Sequence, residues 1–466
     1  MNYIKFLMCG AAAAALSLCV VSCGGDDEEP KADDKTGPGW SADEKENVEK
    51  ITSDEEAKEY LGETAQMAMR MLEPADQKPL IEVAGAFAND YADYDFIIPN
   101  GQQAPRNEGR ALKRFFSELR RATASGRYTD LSRAAQNVLE LSTFTGTFEP
   151  DNSRQAFVMT GRGSDLVVRF FHNGSRCELK VTPSSDTWTL DAYEMTEGDF
   201  DAVKVPRNIT FTLTEASRQL VNGTVRSNWA DGSELLLSTD VTAMNIRVTA
   251  EINATNSTAT TNSAVYVDGT ELIKASGEVK GNKMVTLSAI EALEEEYTEK
   301  YYYGPGEYDY WEETYHELNP EKAANMFRSG SANAKLLGRV YLTAQAKDSK
   351  KFLELEDTYF EEDSDEPGEA QKDCKKACSI LNSAVAAKLY LAGNSKETAT
   401  LKWQPLKYEE NYNWGSYTSW ECDPTLAFAD GSTYSISDYG YADFSSLISS
   451  FENLAYAYER MFNALF

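Results

Sequence analysis

Met244-Asn245-Ile246-Arg247-Val248-Thr249-Ala250-Glu251-Ile252-Asn253 alternates apolar with polar residues, a pattern that suits a β-strand with one buried face and no helix. Two shorter runs repeat it, Arg176-Cys177-Glu178-Leu179-Lys180-Val181 and Ile209-Thr210-Phe211-Thr212-Leu213-Thr214. Turn signals fall between such runs: His172-Asn173-Gly174, Asn222-Gly223, Ala230-Asp231-Gly232, Val267-Asp268-Gly269 and Lys280-Gly281-Asn282. Strand, turn, strand repeated over residues 143–290 predicts a large antiparallel β-meander. Alternation leaves open whether it is a curved sheet, a half-barrel or one layer of a sandwich. Cys177 shares the face of Leu179 and Val181, so it is expected as a small buried hydrophobe rather than a reactive thiol.

On either side of the meander the period becomes helical, and the expected fold class is α+β. Residues 47–142 read as a helical region. Ser53 and Glu56 stand at capping-box spacing, and the helix they open should run to about Leu72. Its apolar stripe is Leu61, Ala65, Ala68 and Met69, with Pro74 at its end. Further helices are expected over 80–91, 108–125 and 130–141. Basic residues from Arg106 to Arg133 read as a solvated helix face.

Residues 291–466 read as a mixed α/β region packed as one unit with 143–290. Helices are expected over 320–327, 336–346 and 370–391, then a strand from Ala399 and a β-hairpin region to Ser437. The C-terminal helix is amphipathic: Phe444, Leu447, Ile448, Phe451, Leu454 and Tyr458 recur at steps of three and four. So long an apolar stripe is expected to pack on the concave face of the sheet.

The N-terminus supplies an address. Residues 2–22 carry one charge, Lys5, ahead of an apolar run from Gly10 to Val21. That is the length of a signal-peptide core and too short to span a bilayer as a helix. Val20, Val21 and Ser22 stand directly before Cys23, which resembles the lipobox of bacterial lipoproteins. The resemblance implies that residues 1–22 are a signal peptide, that Cys23 carries lipid, and that the first partner is the outer membrane. Asp26-Asp27-Glu28-Glu29, two glycines later, resembles the export tag of Bacteroidetes surface lipoproteins and implies the cell surface; without export the chain would face the periplasm. Residues 23–46 then form a lipidated acidic tether.

Acidic residues outnumber basic ones 75 to 45, for a formal net charge of -30. Such a chain repels nucleic acid and polyphosphates, so no nucleic-acid partner is expected. Only two histidines exist, His172 and His316, and neither stands at ligand spacing from another His or Cys. No nucleophile elbow accompanies them. Gly161-Arg162-Gly163 lacks the third glycine of a dinucleotide loop. Asp363, Asp365 and Gly368 fit part of a calcium loop, but Pro367 and Cys374 occupy positions that need ligands. No catalytic motif, cofactor or metal is expected. Cys374 and Cys378 lie one helical turn apart, with a local disulfide, pairing with Cys422, or plain burial all open.

Two segments are dense in rings: Tyr297 to Tyr315, with Tyr302, Tyr310 and Trp311, and Tyr408 to Trp420, with Tyr412 and Trp414. Such rings stack on sugar faces while their polar tips hydrogen-bond. Tyr302, Tyr310, Trp311, Tyr412, Trp414 and Trp420 are therefore the candidate ligand-binding residues, unless the rings serve to pin the segments to the sheet. The reading is of a non-catalytic, lipid-anchored envelope protein that binds an extracellular ligand, with glycan the best-matched chemistry. A periplasm-facing carrier of lipid or lipoprotein is the alternative, and a hydrolase with an unrecognised carboxylate pair comes third.

Overall fold

The computed structural model describes residues 53–71, 74–91, 94–97, 145–190, 203–286, 288–289, 292–302, 310–355, 360–361, 368–391, 394, 396–412 and 415–435. The signal peptide, lipobox, Cys23 and tether, the helices expected over 108–125 and 130–141, the basic run, Trp414 and the C-terminal helix lie outside the described residues.

Two helices come first, α1 (Asp54–Met71) and α2 (Pro74–Asp90). The capping box forms: Glu56 N–H donates to Ser53 Oγ and Ser53 N–H to Glu56 Oε2, both at 3.2 Å. Pro74 follows the end of α1 and also opens α2, where a missing N–H costs nothing. Strands follow as β1 (Asp95–Ile97), β2 (Gly146–Asp151), β3 (Ala156–Gly161), β4 (Leu166–His172), β5 (Ser175–Pro183), β6 (Thr187–Leu190), β7 (Val203–Pro206), β8 (Asn208–Glu215), β9 (Arg218–Ala230), β10 (Glu234–Ala243), β11 (Ile246–Thr255), β12 (Thr258–Val267) and β13 (Thr270–Gly281). The rest of the described chain is β14 (Glu294–Tyr302), β15 (Tyr310–Leu318), α3 (Pro320–Met326), β16 (Phe327–Leu336), β17 (Val340–Ala346), α4 (Ser349–Leu355), β18 (Phe360–Glu361), α5 (Glu369–Ala384), β19 (Val385–Leu391), β20 (Ala399–Tyr412), β21 (Gly415–Phe428) and β22 (Thr433–Ser435).

The described residues are mostly β, and 18 of their strands share one mixed sheet. Strand pairing runs β1-β3-β2-β4-β5-β8 and on through β13 in sequence, then β16-β17-β19-β20-β21. β18 and β22 share the outer edge of β21. Among the described residues only β1–β3 and β2–β4 are parallel. Among the described residues the two outer edges do not meet, so the sheet is open rather than a barrel. The hairpins β6–β7 and β14–β15 are separate two-stranded ribbons.

Three sequence expectations change. Residues 336–346 are the end of β16, a turn and β17, not a helix, because β13 and β19 flank them and pair along their length. The helix expected over 370–391 stops at Ala384, and Val385–Leu391 pairs residue for residue with β17. Asn222-Gly223 is not a turn but lies within β9, where a Cβ on Gly223 would overlap the Phe211 ring. The Asn173-Gly174 and Asp268-Gly269 turns form as expected, each with both residues at positive φ.

One face of the sheet is buried in two large cores and a smaller cluster around Ala254, Ala259, Met284 and Leu293. Core one sets Leu80, Val83 and Phe87 of α2 against Phe157, Phe170 and Leu213 on the early strands. Phe157 stacks on Phe87 at 5.9 Å and on Phe96 at 5.0 Å. Core two gathers Leu61 of α1, Phe352 of α4, Leu381 of α5, and Leu401, Trp403 and Phe428 of β20–β21. The register shows that both cores use the same face: Val241, Val248, Val265, Ile273, Leu336, Val340 and Leu391 lie opposite one another in a continuous apolar row. Between the cores that face narrows to small residues, Thr261, Gly277, Ala332 and Ala344 in one row. Among the described residues no helix is long and apolar enough to cross a membrane.

Candidate functional site

Strand direction sorts the connections into two ends. The turns β4–β5, β10–β11, β16–β17 and β21–β22 fall at one end, and α1 and α2 run along it. Asp430 N–H donates to Asp54 Oδ2 at 2.5 Å in the β21–β22 turn. Arg339, in the β16–β17 turn, lies over the Tyr60 ring at 4.0 Å and pairs with Glu63 at 3.5 Å. Gln77 Nε2 donates to Asn245 Oδ1 at 2.5 Å in the β10–β11 turn, and Phe171 N–H donates to Tyr91 Oη at 3.3 Å beside the β4–β5 turn. The nine residue steps from Asp54 to Glu63 rise about 14 Å, matching roughly three strand spacings from β21 to β17. The two helices thus form a strap over this end.

The opposite end carries both aromatic segments. β13 and β16 frame one side of it, with Gly281 paired to Phe327, and the chain between them forms the β14–β15 hairpin. The tip of β20–β21, Tyr412 opposite Gly415, points the same way. What the sequence presents as aromatic loops is therefore largely strand. Opposed residues share a face in an antiparallel pair. One face of β14–β15 alternates acidic and aromatic pairs: Glu295/Glu317, Tyr297/Tyr315, Glu299/Glu313 and Tyr301/Trp311. The other face ends in Tyr302/Tyr310. This alternation was present in the sequence, hidden by the unknown register.

The β20–β21 arm separates from the sheet because β19 pairs with β20 only at Lys388↔Thr400 and Leu389↔Ala399. Beyond that point the Asn382 amide of α5 replaces the missing strand. Its Nδ2 donates to Trp403 O at 3.0 Å and its Oδ1 accepts from Trp403 N–H at 2.8 Å. Tyr408 on the arm is exposed, its hydroxyl bonded to Glu421. Trp420 differs from the other candidates: it packs half-buried against core two, opposite Phe360 of β18. Beside the arm, α3 and α4 bound a shallow groove of about 390 Å³ lined by Glu321, Asn325, Asp348 and Lys350.

α5 crosses the face of β20 and β21, and its two cysteines meet a third. The Sγ atoms of Cys374, Cys378 and Cys422 all lie within 4.8 Å of one another, with Cys374 and Cys422 at 3.9 Å. Cys374 and Cys378 are buried and Cys422 is half-buried. Burial pushes the Cys374 thiol up to about 12. The hydrogen bond to Cys422, and then burial, also push Cys378 up, and that same bond pulls Cys422 down.

His172 Nδ1 contacts Glu215 Oε1 at 2.7 Å and its Nε2 contacts Asn173 Nδ2 at 3.0 Å, so both ring nitrogens are occupied. Cys177, on the neighbouring strand, is fully buried, and burial raises its thiol to about 12. It is a packing residue, as the strand pattern implied. No protein-family model, curated protein or solved structure matches this chain.

Proposed function

We propose that the protein is a non-catalytic outer-membrane lipoprotein, anchored through lipid on Cys23, that captures an extracellular glycan on the end of its sheet that carries the aromatic hairpins. The observation behind this reading is that strand direction sends β14–β15 and the tip of β20–β21 to the same end, away from the α1–α2 strap. The hairpins leave the sheet about 15–20 Å apart, three or four strand spacings, which suits an extended oligosaccharide better than a single sugar. Aromatic pairs between carboxylate pairs suit it as well: rings stack on sugar faces and carboxylates accept from sugar hydroxyls. The C-terminal amphipathic helix belongs to the same reading, with its apolar stripe packed on the concave face of the sheet.

Affinity electrophoresis of the folded chain through gels cast with xylan, starch, arabinogalactan or mucin tests the reading. Retardation is expected in at least one gel, with Trp311→Ala and Trp414→Ala each weakening it about tenfold and leaving near-UV circular dichroism unchanged. Retardation that ignores both substitutions contradicts the site. Protease treatment of intact cells should remove the folded domain if it faces outward, whereas protection contradicts surface export.

The same small-residue rows favour a second reading, a periplasm-facing carrier that lays an acyl chain between the two cores. Phospholipid or acylated protein leaving with the purified chain would support it, and a lipid-free chain would count against it.

A further inference from the structure

We infer that Cys374, Cys378 and Cys422 form a binding site for a soft monovalent d10 metal ion, with copper(I) the best-matched occupant. The inference is independent of the glycan reading. A metal–thiolate bond is about 2.3 Å, so sulfurs in a trigonal or tetrahedral site lie about 3.8–4.0 Å apart. Cys374 and Cys422 stand at 3.9 Å, and all three sulfurs fall within 4.8 Å. Small rotations of the three side chains close that triangle onto one ion. The spacing is about twice a disulfide bond.

The scaffold presents the thiols for such a site. Cys374 and Cys378 are one turn apart on α5 and face the same way, toward β21. Cys422 projects from β21 to meet them, and α5 is held against β20 by the paired Asn382–Trp403 hydrogen bonds. Cys374 and Cys378 are buried and Cys422 is half-buried, so Cys422 is the ligand that meets solvent.

Ligand chemistry selects among metals. The group contains sulfur alone, with no His, Asp or Glu joining it among the described residues. Structural zinc needs four protein ligands, and catalytic zinc needs three plus an open water position. Hard cations take oxygen ligands. Thiolate ligands suit copper(I), zinc and Fe–S clusters alike, and the ligand count decides among them: three sulfurs complete a trigonal copper(I) site, whereas structural zinc and Fe–S clusters ask for four protein ligands. Binding moves no electrons: the ion enters already monovalent, and each thiol that ligates releases its proton to solvent. Affinity must therefore rise with pH.

The test uses the full-length protein in mild detergent, reduced and kept under nitrogen, with copper(I) supplied from its bathocuproine disulfonate complex. The expected result is withdrawal of one equivalent of copper(I), more tightly at pH 8 than at pH 6, and protection of Cys422 from iodoacetamide in the unmutated chain. Cys422→Ala and the double variant Cys374→Ala/Cys378→Ala should each weaken uptake at least about 100-fold. Cys177→Ala should leave it unchanged. Copper remaining with the chelator, uptake that survives loss of Cys422 in a folded variant, or tighter uptake of zinc(II) than of copper(I) would each overturn the assignment. So would an isolated chain whose intact mass and tryptic map show a disulfide among these three cysteines that forms without added oxidant.

Discussion

The two cores bury the same face of one sheet by different means. Core one draws on α2 and the early strands, and phenylalanines dominate it: Phe87, Phe96, Phe148, Phe157, Phe170 and Phe211 are all buried. Core two draws on parts far apart in the chain, from Ala57 of α1 to Phe428 of β21, and fills its interior mainly with aliphatics and cysteines, with Phe352, Trp403 and Phe428 as its rings. Core one is made of neighbours in sequence plus one helix. Core two closes only when α1 meets β21, with Asp54 bonded to Asp430 across 376 residues of chain. The difference teaches that a meander supplies one half of such a molecule almost unaided, while the other half depends on long-range closure, with the α1–α2 strap as the coupling between them.

That comparison can be broken by substitution. The largest effect is expected in core one, where Phe157→Ala removes a fully buried ring stacked on two others and should cost about 3–5 kcal/mol in urea unfolding. If the cores are distinct, the emission of Trp403 should keep its folded maximum in that variant at low denaturant, whereas Phe352→Ala should shift it directly. A simultaneous shift in both variants would merge the cores into one unit.

Gly223→Ala should come next, at about 1–3 kcal/mol, since the added methyl must displace the Phe211 ring inside core one. Asn382→Ala strips two hydrogen bonds from the Trp403 backbone and should cost about 1–3 kcal/mol. Amide exchange should quicken first at Trp403 and along the β20–β21 arm, with core one unaffected. The smallest change is Arg339→Met, which removes the contact with Tyr60 and the ion pair with Glu63 for about 1 kcal/mol or less. Its value is in sharpening the comparison: it should separate the unfolding midpoints of the two cores rather than lower both equally.

The contrast between the cores is also a contrast in legibility. The strands of core one announce themselves in Cys177, Leu179 and Val181 or in Phe211 and Leu213, because each is half-buried and so alternates. Asn173-Gly174 marks its turn because both residues adopt positive φ. Asn222-Gly223 carries the same signal for another reason, close approach of a ring, and local sequence does not distinguish the two. In core two, Leu336 to Ala346 and Val385 to Leu391 are dense in alanine and leucine, residues that favour helices in isolation. Their strand conformation comes from partners on both sides, which local pattern does not contain. The turn between β16 and β17 uses Leu337 at φ +52°, a residue that ordinarily avoids that region, so only Gly338 hinted at it.

The candidate site follows the same rule. The rings of both aromatic segments were visible as composition, but their gathering at one end follows from strand direction, and the acidic and aromatic pairing of β14–β15 follows from register. Trp420 looked equivalent to Trp414 until β18 and core two were placed beside it. The pairing of Cys374 with Cys378 was readable as one helical turn. Cys422, 44 residues beyond Cys378 in sequence, was one of several partners left open, and its place beside both thiols follows only from the packing of α5 on β21.

The claim most worth testing is that the molecule divides its ends, a helical strap at one and ligand capture at the other. Hydrogen–deuterium exchange should be followed along the folded chain with and without the polysaccharide that retards it in the gels. Protection confined to residues 294–318 and 407–421, with the strap contacts at Tyr60, Gln77 and Tyr91 unchanged, is the predicted result. Protection centred on α1 and α2, or on the small-residue rows between the cores with both hairpins unaltered, would contradict it.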